Sequence, residues 1–82
     1  MPPRRNAAAS KPPAPTTESD WRGLLGRKVS VRYQLHDDPA HPFSEAIGMV
    51  QSVADGEVEI ITRRGEVRSI PLADVIAAKV FP

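Results

Sequence analysis

The chain has 82 residues, a formal net charge of +1 and no cysteine. That length holds one small domain, and about 60 foldable residues bury only about 60% of the surface they expose when unfolded, which leaves little room for a deep substrate pocket. Without cysteine there is neither a disulfide framework nor a thiolate zinc site, and no apolar run approaches the ~20 residues of a membrane span or resembles a signal peptide, so a soluble, cytoplasmic protein is expected.

Residues 1–16 read MPPRRNAAASKPPAPT and hold five of the nine prolines. Beyond Met1 they contain no large apolar side chain, so they cannot bury enough surface to offset their ordering entropy. A solvated Pro/Ala-rich tail is expected there, followed by one domain over residues 17–82. Neither a proline-rich ligand nor a nucleic-acid arm is well supported: KPPAP lacks an anchored P-x-x-P and Arg4-Arg5 is only a pair.

Thr17 with Asp20 three residues later has the form of a capping box, and Glu18 and Asp20 suit the positive end of a helix dipole. Trp21, Leu24 and Leu25 then share one face, while Gly23 and Gly26 limit the helix to about two turns, with Gly26 as its C-cap. Trp21 suits a lid on one end of a barrel; an exposed recognition aromatic is the alternative.

Lys28 to Leu35 alternates cleanly, with Val29, Val31, Tyr33 and Leu35 on one side. The loop HDDPAHPFS, residues 36–44, has two prolines and is a site candidate by position, since long loops on rigid scaffolds carry function. A second strand over residues 45–54 mixes parities at Ile47, Met49, Val50 and Val53, and Gly48 reads as a bulge or sharp bend. Asp55-Gly56 is a strong hairpin signal. Strands at residues 57–62 and 66–70 flank the Arg63-Arg64-Gly65 turn, Pro71 to Asp74 forms a 3₁₀ turn, and Val75 to Phe81 supplies a fifth strand. The sum is an all-β, five-stranded SH3-like barrel with a short N-terminal helical turn. An OB-fold usually needs more chain.

Catalysis is not expected. No serine lies in a G-x-S-x-G context, and the five glycines are too scattered for a phosphate loop. Glu57 and Glu59 share a face, but beside Arg63, Arg64 and Arg68 they read as cross-strand ion pairs. His36 and His41 with Asp37 and Asp38 offer a metal set, yet HDDPAHP reads as a polar turn, so no metal or other cofactor is expected.

The basic side chains raise a further possibility. Arg27, Lys28 and Arg32, with Arg63, Arg64 and Arg68, could form a stripe for a phosphate backbone, with Tyr33 or Trp21 stacking a base. Against this, Glu57, Glu59 and Glu66 interleave with the same arginines, and residues 21–82 carry eight basic and eight acidic side chains. A dedicated nucleic-acid binder usually carries a clear basic excess.

LLGRKVSVRY, AIGMVQSV and the closing GEVRSIPLADVIAAKVFP together resemble the N-terminal SH3-like domain of actinobacterial, histone-acetyltransferase-like members of the GNAT superfamily. In that family G-R-x-V-V-x-R-Y opens the domain and R-R-G-E-V-x-x-V-P-x-x-D-V-x-A-A-K closes it. Gly26, Arg27, Val29, Arg32 and Tyr33 match the first, and Arg63 through Lys79 match the second closely. The resemblance spans about residues 24–82. It does not carry acetyl transfer across, because the Q/R-x-x-G-x-G/A acetyl-CoA loop is absent.

The resemblance therefore implies a non-catalytic accessory module that binds a protein, with an acetyltransferase domain as one partner. The alternative is a nucleic-acid-binding barrel using the arginine stripe. Trp21, Arg32, Tyr33, Phe43, Arg63, Arg64 and Arg68 form the candidate interaction surface. A monomer or weak homodimer is expected, with no membrane association.

Overall fold

Alternation along the chain becomes one curled antiparallel sheet. A computed structural model describes residues 14–82, and the expected tail lies, through residue 13, outside the described residues. Helix α1 (Glu18–Arg22) precedes β1 (Lys28–Gln34), β2 (Phe43–Ala54), β3 (Glu57–Thr62), β4 (Val67–Pro71), a 3₁₀ turn (Leu72–Asp74) and β5 (Val75–Val80). The strand order is β4-β3-β2-β1-β5, with β4 and β5 at the two edges. This is a small all-β, barrel-like fold.

The inner face collects Val29, Val31 and Tyr33 from β1, Ala46 and Val50 from β2, Val58 and Ile60 from β3, Ile70 from β4 and Val80 from β5. Trp21 completes this core at 2% exposure, and no polar or charged residue is buried among the described residues. An aromatic ring of that size removes a large apolar area from water, so its burial excludes the exposed recognition aromatic that the sequence also allowed.

The start of α1 follows the capping box. Thr17 Oγ1 accepts from the Asp20 amide at 3.0 Å, and Asp20 Oδ2 accepts from the Thr17 amide at 3.2 Å. The Thr16 amide and hydroxyl also donate to Asp20 Oδ2, each at 3.1 Å. The Thr16 amide bond, then that from Thr17, holds the Asp20 carboxyl below its ordinary pKa. The helix is shorter than expected. Gly23 is its C-cap, and Gly26, at φ +80°, instead turns the chain into β1. Glu18 Oε1 accepts from the Gly56 amide at 3.1 Å and so pins the helix to the β2–β3 turn.

β2 resolves the mixed parity. It begins at Phe43, two residues earlier than expected. Ala46, Gly48 and Val50 point inward while Ile47 and Met49 point outward, and a register shift between Val50 and Ser52 precedes the Val53–Val58 pair. The irregularity therefore lies past Gly48. Gly48 serves a different need: a Cβ there would stand 2.1 Å from the Ile61 carbonyl oxygen, so glycine permits the close approach of β3. At the β2–β3 turn Asp55 (φ 55°) and Gly56 (φ 74°) both take the left-handed conformation, as the Asp-Gly signal predicts.

Candidate interaction surface

The outer face of the sheet is built in bands because residues opposite one another on neighbouring strands share a side. Val67 faces Ile61 across β4–β3, Ile61 faces Met49 across β3–β2, and Met49 faces Lys28 across β2–β1. Ile47, two residues from Met49, stands outward as well. Ile47 and Met49 are each 48% exposed and Val67 is 49% exposed. These side chains form an apolar row on the outer face, rimmed by Lys28 and Arg63.

Two polar bands border the row. On one side Glu59 accepts from the Ser52 hydroxyl at 2.9 Å, the Gln51 amide at 3.4 Å and the Ser69 hydroxyl at 3.5 Å. The expected ion pairs between Glu57 or Glu59 and the arginines do not form among the described residues. Register is the reason: Glu59 lies opposite Ser69 and Ser52, whereas Arg68 lies opposite Ile60 on the inner face. On the other side Glu45 accepts from the Ser30 hydroxyl at 3.1 Å, and the Arg32 guanidinium stands 5.6 Å from the Phe43 ring centroid.

The sequence-based candidates are dispersed by this arrangement. Arg32 and Phe43 meet, with Ser44 and Glu45, around a shallow surface hollow. Arg63 and Arg64 occupy the exposed β3–β4 turn. Arg68 sits on the inner side of edge strand β4, where hydrogen bonding to Tyr33 and then to Glu66 raises its pKa; its ion pair with Glu66 spans 3.4 Å. Trp21 and Tyr33 are core side chains, so neither presents an open ring face for stacking. The six-residue basic stripe is thus divided between faces. Sequence reasoning passed over Ile47, Met49, Ile61 and Val67, although the two-parity pattern of β2 was the available signal: apolar residues on both sides of one strand.

The loop after β1 is tied rather than free. Leu35 N donates to Pro42 O at 2.7 Å, Ala40 N to Asp38 Oδ1 at 3.1 Å, and His41 Nδ1 lies 3.1 Å from Asp38 Oδ2. His36 Nε2 reaches Asp74 Oδ1 in the 3₁₀ turn at 2.8 Å. That hydrogen bond and the Asp74 charge push the His36 pKa up from its ordinary value, with a smaller push from Asp37. Among the described residues, no three His, Cys, Asp or Glu side chains gather where they could hold a metal ion, and no helix is long and apolar enough to cross a membrane.

A family model described as the Rv0428c N-terminal Sm-like domain matches residues 24–79. The chain belongs to this family. Searches of curated proteins and of solved structures each return no match. As an Rv0428c N-terminal Sm-like domain, the chain keeps its whole outer apolar row and both rim cations inside the matched span, while Trp21 and α1 precede it. The expectation of a small β-domain family is met. The description calls the domain Sm-like rather than SH3-like, and it names no acetyltransferase.

Proposed function

We propose that this Sm-like domain is a non-catalytic, cytoplasmic protein-interaction module, related to the N-terminal domains of GNAT acetyltransferases, that docks a partner through the outer face of its sheet. One observation carries the reading: Ile47, Met49 and Val67 stand about half exposed on the outer face, with Ile61 between Met49 and Val67. Contiguous exposed apolar surface rimmed by polar groups marks interaction sites. Charge weighs against a nucleic-acid partner. A phosphate track needs a row of aligned cations, whereas Arg63 and Arg64 sit on the β3–β4 turn, Arg68 pairs with Glu66 on the inner side of β4, and Arg32 lies opposite Glu45.

Affinity capture from host lysate with the tagged full chain tests the reading, run with and without nuclease and beside a Met49→Asp variant. The expected result is a discrete protein, recovered equally after nuclease treatment and at raised salt, and lost with Met49→Asp although that variant keeps its amide spectrum. Recovery that vanishes with nuclease, or that survives Met49→Asp unchanged, sinks the proposal.

A further inference from the structure

The depression at the centre of the outer face also has a one-sided charge, which docking by apolar contact alone does not use. A shallow depression over β2, about 560 Å³ in volume, has apolar side chains at its centre, Lys28 and Arg63 among its lining residues, and no carboxylate in its walls. Register puts the two cations on opposite sides of β2. Lys28 lies opposite Met49 on β1, and Arg63 follows Thr62, the β3 partner of Gly48. Neither cation has an ion-pair partner among the described residues, whereas Arg22 pairs with Glu18 and Arg68 with Glu66. Lys28 Nζ instead stands 4.9 Å from the centroid of the Phe81 ring.

Resting on the docking reading above, we infer that this face receives an amphipathic helix bearing two carboxylates about two turns apart, with apolar side chains between them. Lys28 and Arg63 are two strand spacings apart across the sheet, about 10 Å, and offset by two residues along it, about 7 Å, giving a diagonal of about 12 Å. On a helix rising 1.5 Å per residue, positions i and i+7 lie about 10.5 Å apart on one side, and long acidic side chains make up the remainder. Residues at i+3 and i+4 then fall over Ile47 and Met49. A helix suits this position better than a strand. The outer face offers no open hydrogen-bonding ladder, so an extended segment would lie there with its backbone groups unsatisfied, while a helix satisfies its own.

A displayed library of random sixteen-residue peptides, selected on the full chain and on a Lys28→Glu/Arg63→Glu variant, tests this. Selected sequences should carry Asp or Glu at a spacing of seven or eight with apolar residues between, and should shift the amide signals of Ile47, Met49 and Ile61. Changing both acids to Lys should weaken binding on the order of tenfold, and the charge-reversed variant should select basic peptides instead. If that variant loses its native amide spectrum, Lys28→Ala/Arg63→Ala takes its place and should bind the acidic peptides more weakly. Peptides that bind this face with no acidic preference overturn the inference and leave the docking reading standing. An empty selection, peptides mapping elsewhere, shifts of the same amides on simply concentrating the chain, or displacement of the peptide by an RNA oligonucleotide also overturn it. The last of these removes the docking reading too.

Discussion

A single histidine gives the loop after β1 a dependence on pH. His36 is largely exposed and Asp74 largely shielded, and the 2.8 Å contact joins the loop to the turn that launches β5. Because the folded pKa of His36 is raised, the contact's stabilisation is fully present below the unfolded value, near 6.5, and fades as pH rises through the folded one. Asp20 has the opposite sign: its depressed pKa makes the helix cap effective above the ordinary carboxylate range, and the cap weakens as pH falls through the folded value. Following the imidazole carbon-bound proton signals against pH should show His36 titrating above 6.5 and returning toward the ordinary value in Asp74→Asn. Titration of the unaltered chain below 6.5 would remove the contact from consideration.

β2 is the strand on which packing and surface both depend. Its inner side gives up a side chain at Gly48 so that the β3 backbone can come close, and its outer side presents Ile47 and Met49. Gly48→Ala restricts the unfolded chain, which favours folding slightly. Its Cβ, however, meets backbone rather than a movable side-chain end, and overpacking of that kind costs about 1–3 kcal/mol. The urea midpoint should therefore fall with an unchanged slope; an equal or higher midpoint would show that β3 yields without strain. Much of this was legible beforehand. Alternation located β1 and β3, Asp55-Gly56 located the turn between β2 and β3, and Thr17 with Asp20 located the start of α1. What a linear reading could not supply was register. A single residue's slip exchanges the two faces of a strand, so whether Arg68 shared a face with Glu59 or with Ile60, and whether Ile61 faced core or solvent, waited on the pairing. The division of the basic stripe and the apolar row follow from that one unknown.

For the whole molecule, charge balance and a small core set the terms: among the described residues no buried polar group directs the fold, so apolar contacts across the sheet must hold it. The strand order β4-β3-β2-β1-β5 sorts those contacts by distance along the chain. Three pairings join strands that follow one another, whereas β1 meets β5 across the full domain, with Val29 opposite Val80. Loop-closure entropy must be met before such a distant pairing returns anything. The meander from β1 to β4 should thus assemble first, leaving β1 with one open side until β5 arrives late along the folding coordinate. In stopped-flow chevrons Val80→Ala should chiefly accelerate unfolding, while Ile60→Val should slow folding; equal partition of the two effects would rule out this sequence of events. The time between the two stages is when the unpaired edge of β1, on its β5 side, lies open to the wrong strand.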